Sequence, residues 1–143
     1  MGRRTRAREC ALQMLYQWDA TRNTPEQLAT AYWKIRSTTE ETRARAEALL
    51  RGTLRRQAEI DEALVATARN WRLDRMAAVD RSILRLAAYE LLAEPETPAA
   101  VVIDEAVELA KRFGEADSGG FVNGVLDAVR RRVRREPGSD EER

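Results

Sequence analysis

Apolar residues recur at helical spacing along almost the whole of this chain, and the gaps between them hold helix start and stop signals rather than strand patterns. From about Thr5 to Asp19, the residues Ala7, Ala11, Met14 and Trp18 fall on one helix face, with Leu15 beside them. NTPEQL then carries a start signal, with Thr24 as N-cap, Pro25 at the first helical position and Gln27 closing a capping box; it predicts a helix to about Arg36. TTEE predicts a second box, Thr38 to Glu41, opening a long pattern through Ala46, Leu49, Leu50, Leu54, Ile60, Leu64 and Ala68. Gly52 or the polar patch from Gln57 to Glu59 is where that pattern would kink or split. NWRLD reads as a short turn, with Asp74 as the next cap.

The widest apolar arc follows, through Val79, Ile83, Leu84, Leu86, Ala87, Leu91 and Leu92, and predicts the helix at the centre of the fold. The two prolines of EPETP end it. Val102, Ile103, Ala106, Val107, Leu109 and Ala110 make another helix that stops at Phe113-Gly114. ADSGGF is a turn capped by Asp117 or Ser118, and Phe121, Val122, Val125, Leu126 and Val129 form the last stripe. Low glycine and proline counts (7 and 4) and 6% aromatic residues favour helices over a sandwich or barrel. The expected fold is therefore all-α, one domain of about seven helices over residues 1–135. The polar tail 136–143, from the segment EPGSDEER, is expected to be disordered.

Enzyme chemistry finds little support in these residues. The chain contains no histidine, the commonest general base and metal ligand. Cys10 lies inside the first helical pattern, where a buried core thiol explains it better than a nucleophile. It excludes an internal disulfide and suits a reducing cytoplasm. No phosphate-loop or dinucleotide fingerprint occurs. Asp104 and Glu108 share a helix face, but such pairs are ordinarily solvated; Gly119-Gly120 fits a close helix crossing as well as a phosphate cradle. No apolar run approaches the roughly 20 residues of a membrane span, and no secretory signal is evident. No catalytic residue, cofactor or metal is expected.

Charge is distributed unevenly. Across the chain 25 basic residues face 24 acidic ones, yet Arg3, Arg4, Arg6 and Arg8 crowd the N-terminus and Arg130, Arg131, Arg132, Arg134 and Arg135 the other end. Cations at a helix start oppose the helix dipole, so their repetition there points to an external anion rather than to the fold's own needs. A solvated basic tail is the plainer alternative. Tyr16, at the edge of the apolar arc near Gln13 and Glu9, favours the first reading. An edge tyrosine stacks an unpaired base while arginines hold the phosphates, an arrangement suited to single-stranded RNA. Three or four such contacts predict a log–log salt slope of roughly −2 to −3. The C-terminal RRRVRR either extends this surface or caps the last helix.

Four blocks, RRTRARECALQMLYQW, DRSILRLAAYEL, VIDEAVELAKRFG and SGGFVNGVLDAV, together resemble the NusB family of transcription antitermination factors, in order over residues 3–129. The resemblance implies two packed helical sub-bundles. It further implies binding of the boxA element of ribosomal RNA transcripts with NusE, a small-subunit ribosomal protein, within the RNA polymerase antitermination complex. By the same likeness Arg4, Arg6, Arg8, Gln13, Tyr16, Phe113, Asp117 and Phe121 are the RNA-binding residues, and Asp80 lies on the NusE-facing side. Some members of that family are dimeric; the sequence leaves a homodimer open. Two other readings stand beside this one. A related domain forms the front of certain rRNA cytosine methyltransferases, and a helical module could work through protein contacts alone with its basic arm incidental.

Overall fold

The computed structural model describes residues 2–134; Arg135 and the expected tail 136–143 lie outside them. Its helices are α1 (Arg3–Thr21), α2 (Pro25–Ile35), α3 (Glu40–Arg55), α4 (Gln57–Thr67), α5 (Ala78–Ala93), α6 (Ala99–Phe113) and α7 (Ser118–Val133), with a 3-10 turn at Leu73–Arg75. Helices α1 to α3 make one sub-bundle and α4 to α7 the other. The two are joined through α5, which packs on α1, α3, α4, α6 and α7. The residues of the widest apolar arc, Ile83, Leu84, Leu86, Ala87 and Leu91, are accordingly buried.

Local signals place most boundaries, and packing moves the rest. At the start of α2 the Gln27 N–H donates to the Thr24 hydroxyl at 3.1 Å, and the Thr24 N–H donates to Gln27 Oε1 at 2.9 Å. The second start falls one residue later than TTEE predicts. Thr39, not Thr38, accepts from the Thr42 N–H at 3.1 Å, a register that buries Thr42 and Ala46. The long pattern splits at Arg56 (φ −107°, ψ 19°), within reach of the polar patch and not at Gly52. Gly52 serves packing instead: a Cβ there would lie 2.3 Å from the Tyr89 hydroxyl of α5.

Two predicted caps do other work. Asp74 sits in the 3-10 turn, and Ala77 precedes α5. Asp117 precedes α7 without a side-chain cap bond, while the Ser118 hydroxyl accepts from the Glu115 N–H at 2.9 Å. Gly119 packs against Lys111 and Val107 of α6, the helix crossing its sequence allowed.

Buried arginine–carboxylate pairs tie the sub-bundles together. Arg85 of α5 donates to Asp19 of α1 and to Asp61 of α4, both at 2.9 Å. Arg81 also donates to Asp19, and reaches the Leu73 and Met76 carbonyls at 3.0 and 2.8 Å, fastening the 3-10 turn. Hydrogen bonding from Arg81, then from Arg85, holds the Asp19 carboxyl below its ordinary range despite burial. A carboxylate depressed in the folded state adds stability above its unfolded value of about 3.9, and that stability is lost as pH falls through the folded value. The stability gap between wild type and Asp19→Asn, measured by urea unfolding, is therefore expected to be full at neutral pH and to shrink below about pH 4. A gap that stays constant through the acid range would remove Asp19 from this role.

The C-terminal arginines divide between similar tasks. Arg134 donates to the carbonyls of Leu91, Thr97 and Glu94 at 2.9, 2.6 and 2.8 Å, so it caps α5 rather than the last helix. Arg130 and Arg131 both pair with Asp127.

Candidate nucleic-acid interface

Helix α1 begins at Arg3, so the N-terminal arginines stand on its first turns rather than on a separate arm. With about 100° per residue, Arg4 and Arg8 share one side of α1 while Arg6 points away from both. The helix wheel thereby assigns them to different surroundings.

Arg8 departs from the expectation of a solvent-facing cation. It is 4% exposed, and its Nε donates to both oxygens of Glu90 at 3.0 and 2.9 Å. Its Nη2 adds a bond to Glu90 at 2.8 Å, and Nη1 reaches Glu105 at 3.2 Å. Glu90 is itself 1% exposed, on the central helix α5. Desolvating a lone guanidinium is costly, and two carboxylates offset that cost here. Arg8 is thus a buried ion-pair residue, already occupied on three of its donor atoms. Arg4 is exposed beside a groove of about 380 Å³ whose lining, of mixed charge, includes Glu41, Arg45, Glu94 and Glu96.

Arg6 lies on the stripe that continues through Glu9, Gln13 and Tyr16, the i, i+3, i+7, i+10 spacing of one helix face. The Glu9 carboxylate, 7% exposed, sits 3.8 Å from Arg6 and accepts from Arg112 of α6 at 3.0 Å. One nearly buried carboxylate therefore steadies two guanidinium groups, each still about 40% exposed as a side chain (40% and 42%). Arg112 also lies over the Phe113 ring, 5.1 Å from its centroid.

Beside this stripe is a groove of about 440 Å³ with Gln13, Tyr16, Tyr32, Ile35, Arg36 and Phe113 in its wall. Tyr16 is 42% exposed. The structure thus brings Arg6, Gln13, Tyr16 and Phe113 to one surface, with Phe113 partly buried against the core. Gly114 permits the turn behind Phe113, because a Cβ there would lie 2.6 Å from the Ser118 hydroxyl oxygen.

Asp117 and Phe121 fall outside that groove. Asp117 is exposed ahead of α7, and Phe121 meets exposed Trp71 edge-on at 5.2 Å and 68°. Asp80 is half-buried in the first turn of α5, and its Oδ1 has no hydrogen-bond partner among the described residues. Sequence reasoning missed Arg112, Tyr32 and Trp71. A cation in the last turn of a helix is already explained by the dipole, so nothing in the chain marks Arg112 as special. Its partner Glu9 is a hundred residues away.

A two-lobed all-α domain that sets cationic, amide and aromatic groups along one exposed helix face defines a class of helical binding module. Among the described residues no helix is long and apolar enough to cross a membrane. The NusB family model matches residues 5–131, and the chain belongs to that family.

Curated relatives are similar over nearly their full length. The transcription antitermination protein NusB of Anaeromyxobacter dehalogenans is 51% identical over 129 residues, covering 90% of each chain. That of Sorangium cellulosum is 47% identical over 90% of this chain and 92% of its own. Among solved structures, T. maritima NusB superposes with a TM-score of 0.82 at 34% identity, over 100% of this chain and 99% of the other. A crystal structure of antitermination factors NusB and NusE in complex with dsRNA matches with a TM-score of 0.83 at 28% identity, over 92% and 98%.

Proposed function

We propose that this chain is a non-enzymatic transcription antitermination factor of the cytoplasm that holds unpaired boxA RNA of ribosomal transcripts together with NusE, while RNA polymerase elongates. The observation that carries this reading is the α1 stripe: Arg6 with Arg112 for phosphates, Gln13 for a base edge, Tyr16 and Phe113 for stacking. Relatives about half identical are named as antitermination proteins, and a neighbour of similar fold is seen with NusE and dsRNA. Asp117 and Phe121 are assigned to the RNA beyond Phe113, with Phe121 and Trp71 as a further aromatic surface. Arg4 contributes a phosphate contact from the start of α1. Arg8 supports the site from inside through Glu90. Asp80, whose buried Oδ1 finds no partner among the described residues, is assigned to the NusE-facing side by the family likeness.

Salt dependence of binding tests this reading. Each phosphate contact to a single strand steepens the log–log slope by about 0.7. Removing Arg6 or Arg112 is therefore expected to flatten the slope by about that amount each and to weaken binding alike for all sequences. Filter binding of boxA RNA from low to moderate salt, with wild type, Arg6→Ala, Arg112→Ala and the double variant, measures it. Equal affinity and slope in all four proteins would leave a module working through protein contacts. Tighter binding of the corresponding duplex would replace the single-strand reading.

A further inference from the structure

We infer that Tyr32 is a positioning residue that fixes which end of Gln13 faces the ligand, and so makes this groove selective for a base edge presenting an acceptor. The inference rests on the RNA-binding reading of the α1 stripe and deepens it.

A glutamine amide carries an acceptor at one end and two donors at the other, and a free rotor offers either to a base. Gln13 is not free. The Tyr32 hydroxyl of α2 donates to Gln13 Oε1 at 2.5 Å, which commits the acceptor end to the protein. The two hydrogens of Nε2 remain for a ligand in the groove that Gln13 and Tyr32 both line. A donor pair pairs with carbonyl oxygens and unprotonated ring nitrogens, and it rejects an edge made of amino groups alone.

Tyr32 is itself held in place. Its ring packs edge-on against Trp33 at 4.8 Å and 82°, and the Arg36 guanidinium lies 5.4 Å from its centroid. Burial, with the Cys10 thiol hydrogen-bonded nearby, pushes the phenol above its ordinary range, so the hydroxyl keeps its proton to donate. Arg6 and Arg36 act weakly in the other direction. With that one proton given to Gln13 Oε1, the amide is held in the orientation that turns Nε2 away from Tyr32. That pre-organisation turns a glutamine into a selective reader.

The test measures discrimination as well as affinity. Boxa RNA and single-base variants of it are titrated against wild type, Gln13→Ala, Tyr32→Phe and the double variant, each at several salt concentrations. The largest ratio of variant to parent Kd is expected to fall roughly 3- to 10-fold in Gln13→Ala, the worth of one hydrogen bond. Tyr32→Phe keeps the ring and its Trp33 contact, and is expected to lower the same ratio about threefold with the salt slope and thermal midpoint unchanged. The double variant should lose no more than Gln13→Ala alone, because the hydroxyl acts through the amide. Full discrimination in Tyr32→Phe beside a loss in Gln13→Ala overturns the positioning role. Unchanged discrimination in Gln13→Ala overturns it too, by removing the reader. Absence of RNA binding by the wild type defeats the parent reading and this one with it, a result distinct from either of the others.

Discussion

Glu90→Ala is expected to destabilise the folded protein by about 3–5 kcal/mol, a large part of the roughly 5–15 kcal/mol that holds a domain of this size together. Truncating Glu90 strips Arg8 of three of its four hydrogen bonds to carboxylates, inside a core where the guanidinium has almost no access to water. Arg45 loses a more distant neighbour at 3.9 Å but keeps Glu94. The stranded Arg8 then has only Glu105, whose second contact, from the Thr5 hydroxyl, already uses the same oxygen. An uncompensated buried charge is the costliest outcome available at this position. Replacing both members by apolar residues of similar volume, as in Arg8→Met with Glu90→Leu, is expected to recover most of the loss, because neither charge is then left alone. Urea unfolding of Glu90→Ala and of the Arg8→Met/Glu90→Leu double variant measures both effects. A Glu90→Ala protein within about 1 kcal/mol of wild type would mean that the pair is not what joins α1 to α5. The same result governs how RNA binding is probed. An Arg8→Ala variant reports on folding, whereas the exposed Arg4 and the half-exposed Arg6 and Arg112 report on phosphate contacts.

The helices were legible because their signals are local. Thr24, Pro25 and Gln27 act within one turn, and the prolines of EPETP stop α5 wherever the rest of the chain goes. The wide apolar arc of α5 likewise has one solution, the middle of the bundle. Boundaries moved where a tertiary contact outweighed a local cue: Thr42 is buried, so the cap is Thr39, and Tyr89 lies on Gly52, so the break falls at Arg56. The site was legible along α1, where Arg6, Gln13 and Tyr16 follow the helix repeat, and illegible across elements. An arginine's sequence position says nothing of which carboxylate it will meet, and Arg8 finds Glu90 and Glu105 more than eighty residues on. Three adjacent-looking cations therefore separate into an exposed one at Arg4, a site residue at Arg6 and an interior one at Arg8.

Tyr16→Ala is the variant expected to weaken RNA binding most while leaving the fold intact. Tyr16 stands on the same face as Arg6 and Gln13, in the groove wall with Phe113 and 42% exposed. Losing one aromatic stacking partner costs about 1–3 kcal/mol, or roughly a 5- to 150-fold rise in Kd. Exposed positions of this kind seldom change stability by more than about 0.5 kcal/mol, so the thermal midpoint should move by a few degrees at most. Tyr16→Phe retains the ring and should bind nearly as well as wild type. Phe113→Ala gives the contrasting signature: its ring also packs on the core, so stability and RNA binding should fall together. Stacking involves no counterion release, which leaves the salt slope of Tyr16→Ala equal to that of wild type even as the affinity drops. Isothermal or filter titration at two salt concentrations, with a melting curve for each protein, separates these outcomes. Unchanged affinity with the wild-type slope would place the RNA along the arginines and outside the groove. A large fall in the midpoint would return Tyr16 to the core.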